Sequence, residues 1–245
     1  MRKEILGRIL NETRWVALAL ASWATPLAAQ DSAPKPPYLA EKAPAASNWT
    51  ISYTYASTAD ARPTAPKLQQ KKVVKTDITK SANLKLERGY YDGGTVQDIW
   101  TSGGLMVLKD PDYAHKIVRR PAMGDFPEMF WINEAQYKGR ERVGDKDCLI
   151  FEKELYPLQF ADPGLFAAEM AQENRTLDLG NPVPVTAWID AGTRLPVKMK
   201  VGEDSRIYTF NPAPASPLVI PPDYGAAIAG VEEKYRALVK PLAKP

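Results

Sequence analysis

Residues 183–210 read VPVTAWIDAGTRLPVKMKVGEDSRIYTF, and this stretch decides the fold class. Three short runs within it, 183–190, 195–201 and 206–210, predict β-strands, because short turn segments separate them. The intervening segments, AGTR and GEDS, carry the small and polar residues that tight turns prefer. The stretch therefore predicts consecutive strands joined by short hairpin turns.

The same pattern extends towards the N-terminus. Asp92-Gly93-Gly94 and Ser102-Gly103-Gly104 supply glycines where hairpin turns need a positive φ. Hairpin signals this closely spaced favour an antiparallel sheet. The other predicted strands are 49–55, 73–79, 84–91, 95–101, 105–109, 115–120, 137–143 and 147–155, and the predicted helices are 125–135, 163–172 and 226–239. We expect a mainly β (α+β) fold, a curved antiparallel sheet covered by a few helices.

The first thirty residues carry the features of an export signal. A basic start is followed by the apolar run WVALALASWA at 15–24 and by the small residues before Gln30. This order is typical of a secretory signal peptide at 1–29, with cleavage after Ala29; the alternative is an N-terminal core helix. The apolar run is too short to span a membrane, which takes about 20 residues. We expect a bacterial protein that is periplasmic or secreted, with no transmembrane segment in the mature chain.

The composition limits the possible partners and the domain organisation of the chain. The chain has 32 basic and 29 acidic residues, and 1–29 hold four and two of them, so the mature charge is 28 − 27 = +1. That balance gives no reason to expect nucleic acid as a partner. The segment 30–47 is rich in proline and alanine and predicts an extended tether, which leaves 48–245 as one β-rich domain. Cys148 is the single cysteine and lies in a strand-like run, where a buried, inert thiol is expected rather than a reactive one.

No motif in the chain indicates catalysis. His115 is the only histidine and its neighbours are strand-like, which favours an edge residue over a general base. Metal ligands do not cluster, no phosphate-binding glycine loop precedes a helix, and no serine lies in a nucleophile elbow. We therefore predict no enzyme activity, no metal and no cofactor. A carboxylate-based hydrolase is the alternative, and it would need Glu141, Asp145 or Asp147 to meet Asp190 in space.

Aromatic and methionine side chains are the remaining distinctive feature. Four tryptophans, Trp49, Trp100, Trp131 and Trp188, are spread over the predicted mature domain. They form either an ordinary closed core or part of a lipophilic pocket beneath a curved sheet. The sequence leaves both possibilities open.

Two hairpins resemble a known family. The sequence AWID at 187–190 followed by TRLPVK at 193–198 resembles the recurrent Thr-x-Leu-Pro-Val-basic hairpin of the bacterial lipoprotein-carrier superfamily, and RIYTF at 206–210 resembles its partner strand. The segment YKGRERVGDKDCLIF at 137–151 resembles a second hairpin of that group. The superfamily includes the periplasmic lipoprotein chaperone, its outer-membrane acceptor and an anti-sigma sensor. These segments cover about a third of the mature chain.

The resemblance implies an incomplete β-barrel with an apolar cavity that binds an acyl chain of a lipid or lipoprotein. A carrier of this kind works without chemistry, and adaptable methionine and aromatic side chains suit it. The alternative is an envelope protein-interaction or regulatory module with a closed core. The candidate cavity residues are Trp49, Ile51, Tyr53, Leu84, Leu86, Met106, Leu108, Val197 and Met199.

Overall fold

The computed structural model describes residues 34–56, 72–102, 105–110, 113–119, 124–157, 159 and 181–239. Side chains are described in these ranges except at 109–110, 113–119 and 235–239. The predicted signal peptide at 1–29 and the predicted helix at 163–172 lie outside the described residues.

Within the described ranges, eleven strands form a single curved, open sheet. Its spatial order is β6-β5-β4-β3-β2-β1-β11-β10-β9-β8-β7, and every neighbouring pair is antiparallel. The first and last strands pair in the middle, which leaves β6 and β7 at the two ends. The predicted mainly β, antiparallel class is confirmed. The strands are β1 (Ala46–Thr54), β2 (Val73–Ser81), β3 (Leu84–Tyr91), β4 (Val96–Ser102), β5 (Leu105–Asp110), β6 (Tyr113–Arg119), β7 (Tyr137–Val143), β8 (Lys146–Leu155), β9 (Val183–Asp190), β10 (Pro196–Val201) and β11 (Asp204–Asn211).

The pairing register assigns each side chain to one of two faces. Residues directly opposite each other on paired strands point to the same side of a sheet. We call the side that carries Trp49 the core face, and the side that carries Trp100 the helix face. One row crosses the core face through the register partners Phe210, Trp49, Ile78, Glu87, Ile99 and Leu108.

The larger hydrophobic cluster lies on the core face. It is built from β1, β2 and β8 to β11 and is covered by the segments 38–43 and 124–137. The Trp49 indole is stacked on Phe210 at 5.7 Å and is tilted against Phe126 at 6.1 Å. Burial of these aromatic surfaces stabilises the half of the sheet in which the first and last strands meet.

A second cluster lies on the helix face of the other half. There the helix α1 (Pro222–Val239) packs Tyr224 and Ile228 against Trp100, Leu105 and Val107. Proline at the first helical position explains why α1 begins four residues before the predicted 226, since its fixed φ suits that position. The two halves of one sheet therefore bury opposite faces.

Residues 34–45 lie against the sheet rather than extending away from it. Ala43 is buried, and the Tyr38 ring contacts Phe151 with 5.8 Å between centroids. The Ala40 N–H donates to the Arg194 carbonyl at 2.9 Å. The composition of 30–47 predicts a tether because its prolines prevent regular structure. An extended, proline-rich segment can nevertheless be held in place where a protein surface packs against its few apolar side chains.

The predicted helix at 125–135 is replaced by two 3-10 turns, Pro127–Met129 and Glu134–Gln136. The spacing of Phe126, Met129 and Trp131 reflects burial in the cover of the core face. A continuous helix is interrupted at Asn133, because its backbone is extended. Its side chain accepts the Ala135 N–H and so caps the second turn.

Candidate ligand-binding site

The nine candidate cavity residues occupy both faces of the sheet. The register places Leu84 and Leu86 on the helix face, where Leu86 packs against the second cluster. Val197 is buried at an irregularity between β9 and β10. The remaining candidates share the core face, namely Trp49, Ile51, Tyr53, Met106, Leu108 and Met199. The nine therefore do not line one common surface.

The core-face candidates differ in burial. Trp49, Ile51 and Met199 are enclosed in the larger cluster, with 1%, 9% and 0% of their surfaces exposed. Such side chains are already packed against the protein and offer a ligand no free surface. Met106 and Leu108 are half-buried, and among the described residues they join neither cluster.

Ile99 completes this second group. It is the register partner of Leu108 on the core face, and it is also half-buried outside both clusters. We call Ile99, Met106 and Leu108 the apolar strip. Ile99 was not among the residues predicted from the sequence. Neighbouring side chains of a strand point to opposite faces, so a buried Trp100 implies that Ile99 points to the other face.

Charged side chains separate the apolar strip from the larger cluster. Lys80 on β2 and Lys85 and Glu87 on β3 all point to the core face. The Asp125 carboxylate bonds Lys80 Nζ at 2.6 Å, while Lys85 Nζ lies 2.8 Å from Glu87. Asp125 also accepts the Ala43 N–H at 2.9 Å, so the same carboxylate holds the 34–45 segment.

A polar group lies farther along the core face. Tyr208 donates to Glu128 Oε1 at 2.6 Å, and the Arg206 guanidinium lies 5.6 Å from the centre of the Tyr53 ring. Burial, reinforced by the charge of Glu128, holds the pKa of Tyr208 well above its ordinary value. This hydroxyl therefore stays protonated and can donate to Glu128 throughout the physiological range.

A surface pocket of about 270 Å³ opens in the cover of the core face. Its lining is mainly apolar and includes Phe130, which is 49% exposed. The volume is slightly smaller than the roughly 300–1,000 Å³ of pockets that enclose a drug-sized molecule. The other lining residues are Leu39, Ala40, Glu41, Gly124, Phe126 and Pro127.

The carboxylates of the hydrolase alternative have separate structural contacts. Glu141 accepts the Trp188 indole N–H at 2.9 Å, and Asp147 pairs with Arg140 at 2.9 Å. Asp190 Oδ1 accepts two backbone N–H groups at 2.8 Å within the turn after β9. No group of three potential metal ligands occurs among the residues that the structure describes.

Cys148 is buried, as predicted, and burial, with a smaller contribution from the negative charge of Asp190, raises the pKa of its thiol. His115 lies on the end strand β6, in agreement with the predicted strand edge. In the described part of the chain, no helix is long and apolar enough to cross a membrane.

No protein-family model and no curated protein matches the chain. Among solved structures, it is similar to the Mycobacterium tuberculosis lipoprotein LppX at 12% sequence identity and a TM-score of 0.38, with 72% of this chain and 90% of that chain covered. A likeness of that size assigns neither a shared fold nor a ligand. The resemblance of the hairpins to the lipoprotein-carrier superfamily stays a prediction.

Proposed function

We propose that this protein is a non-catalytic binding protein of the bacterial envelope that holds an acyl chain of a lipid or lipoprotein. The observation that carries the proposal is the apolar strip. Ile99, Met106 and Leu108 share the core face, are only half-buried, and belong to neither cluster of the described residues. The ligand would lie along this strip, on the side of β4 and β5 opposite to α1.

The energetics suit an acyl chain. Each buried methylene group contributes about 0.8 kcal/mol, so ten of them gain roughly 8 kcal/mol before the cost of ordering the chain. That gain needs no reactive group on the protein. Met106 is unbranched and polarisable, which lets it adjust to different positions of a flexible chain.

The envelope location follows from the export signal predicted at 1–29. A protein in an aqueous envelope compartment that binds an acyl chain must cover it from water, and a half-covered sheet face provides a surface for this. The motifs at 137–151 and 187–210 support the same function through their resemblance to lipoprotein carriers.

Native mass spectrometry of the protein recovered from the periplasm, with organic extraction of the same sample, tests the proposal. We expect a near-stoichiometric lipid or fatty acid on the wild-type protein and its loss in Met106→Glu and Leu108→Glu. Ile207→Glu is the matched control, because Ile207 is 47% exposed on the helix face. Circular dichroism establishes that all three variants fold.

A clean apo mass that persists after incubation with phospholipid and fatty acid would overturn the proposal. Capture of a specific envelope protein by that apo form would support the interaction module instead. The end strand β7 argues against edge pairing as its mechanism, because Lys138, Arg140, Glu141 and Arg142 place charges along it and charged edges resist strand addition.

A further inference from the structure

Three of the six methionines lie among the described residues, and they differ in their access to solvent. Met129 and Met199 are enclosed in the larger cluster, with 1% and 0% of their surfaces exposed. Met106 is half-buried on β5, beside the end strand of the sheet, and belongs to neither cluster of the described residues. Among the described methionines, Met106 is therefore the one that presents surface to a small solute in water.

The single cysteine is protected from the same solutes. Cys148 is fully buried on β8, and burial raises the pKa of its thiol. Oxidants react with the thiolate, which a raised pKa makes scarce, and burial keeps them away from the sulfur. In the described part of the chain, Met106 is thus the sulfur-containing side chain that a dissolved oxidant can reach.

Met106 also lies where a change of polarity affects the proposed ligand. It shares the apolar strip with Ile99 and Leu108, and Leu108 is two residues away on the same strand and face. An acyl chain on the strip covers the Met106 side chain from water. The thioether suits that contact, whereas a methionine sulfoxide carries a polar S=O group. An acyl chain offers this group no hydrogen-bond donor, so covering it is unfavourable.

We propose that Met106 is a reversible oxidation site that regulates acyl binding, and that a peroxide converts it to the sulfoxide and so releases the acyl chain. This inference rests on the proposed function and adds its regulation. The thioether sulfur attacks one oxygen of hydrogen peroxide, so an S–O bond forms, the O–O bond breaks and water leaves. Sulfur loses two electrons, which the peroxide gains. A methionine sulfoxide reductase returns those electrons from its thiols and restores the thioether.

Oxidation of Met106 should change ligand affinity far more than stability. In the free protein, the half-buried position allows water to donate hydrogen bonds to the sulfoxide oxygen, and the bound ligand removes that water. Oxidation of a core residue such as Met199 would instead disrupt packing and lower stability. Weaker binding at unchanged stability therefore distinguishes Met106 from the core methionines.

Peroxide treatment of the delipidated mature protein tests the inference, with peptide mass spectrometry to locate the added oxygen and titration calorimetry with hexadecanoic acid to measure the affinity. We expect the peptide that contains Met106 to gain one oxygen before those of Met129 and Met199. The affinity for hexadecanoic acid should then fall about tenfold, and the urea midpoint should stay unchanged. Treatment with the two methionine sulfoxide reductases, which act on different sulfoxide epimers, should restore the affinity.

Met106→Leu isolates this sulfur, because leucine has a similar volume and nothing to oxidise. It should bind hexadecanoic acid as the wild type does and keep that affinity after peroxide treatment. Oxidation of Met123 or Met170, which lie outside the described residues, still occurs in this variant and is thereby separated from the effect of Met106. Met106→Gln carries a polar amide in place of the sulfoxide and should bind weakly without peroxide. Met129→Leu is the matched control and should lose affinity on peroxide treatment as the wild type does.

The outcomes separate the two proposals. If the untreated wild type does not bind hexadecanoic acid, the acyl-binding function itself is overturned. Full affinity after oxidation of Met106 would overturn the oxidation site and leave acyl binding intact. The same conclusion would follow if Met106 stayed unoxidised at a dose that oxidises Met129 or Met199, or if peroxide weakened binding equally in Met106→Leu.

Discussion

Asp125→Asn tests how the N-terminal segment is attached to the sheet. Asp125 Oδ2 accepts Lys80 Nζ at 2.6 Å and the Ala43 N–H at 2.9 Å, with Lys85 Nζ 3.7 Å from Oδ1. The Lys80 and Asp125 side chains are only 12% and 10% exposed. Asparagine keeps an acceptor for Ala43 but leaves the Lys80 charge without a counter-ion.

Breaking one partner of a buried ion pair costs about 3–5 kcal/mol. Here Lys80 retains its bond to the Ala43 carbonyl at 3.0 Å, and both side chains keep some contact with water. We therefore expect Asp125→Asn to lower the free energy of unfolding by about 2–3 kcal/mol. In a domain of about 200 residues this corresponds to a fall in Tm of roughly 4–12 °C.

Thermal unfolding followed by tryptophan fluorescence measures the effect, and a double-mutant cycle assigns it. Lys80→Met removes the charge that Asp125→Asn would leave unpaired, so the double variant should lose clearly less stability than the two single losses combined. Additive losses, or a change in Tm below about 1 °C for Asp125→Asn, would refute the view that this ion pair holds the segment. Asp98→Asn is the exposed comparison, since its pair with Arg88 lies on the helix face and exposed pairs contribute about 0–1 kcal/mol.

Three further outcomes are expected. Met199→Ala should lower the free energy of unfolding by about 2–5 kcal/mol, because Met199 is fully buried. Met106→Ala should lower it clearly less, because Met106 is half-buried, but should weaken the binding of an acyl probe. Urea denaturation measures the stability, and titration with the probe measures the binding. Burial opposes ionisation of Asp190, but hydrogen bonds from the Thr193 and Gly192 N–H groups outweigh it and lower its pKa; the carboxylate therefore stabilises the fold above about pH 4, and this stability is lost as the pH falls through the folded-state pKa. Asp190→Asn should reduce the difference between urea midpoints at pH 6 and pH 3, and an unchanged difference would contradict this assignment. Gly124→Ala would place a Cβ 2.3 Å from the Glu41 carbonyl oxygen, so the 34–45 segment must shift. We expect the free energy of unfolding to fall by about 1–3 kcal/mol and proteolysis near residue 40 to become faster. Proteolysis at the wild-type rate would contradict the close approach.

The strands could be predicted from the sequence because each depends on residues that are close together in the chain. In β9, buried residues alternate with exposed or half-buried ones, and the turn into β10 carries Asp190 and Gly192, so backbone preference and burial agree. The same agreement located Leu84 and Leu86 on one side of β3. The prediction of a helix at 125–135 was wrong, because the spacing of its apolar residues reflects contacts with the sheet rather than helical periodicity.

The sequence by itself determined the antiparallel class, the hairpins and the burial of Cys148, since each depends on neighbours within a few residues. Only the tertiary structure decided that Leu86 and Met106 point to opposite faces, because this follows from the registers of β3, β4 and β5 taken together. It also decided that 34–45 has a surface to lie on and that Arg206 has no ion-pair partner among the described residues. A side chain's partners come from strands distant in the chain, and no local pattern encodes which of those strands meet.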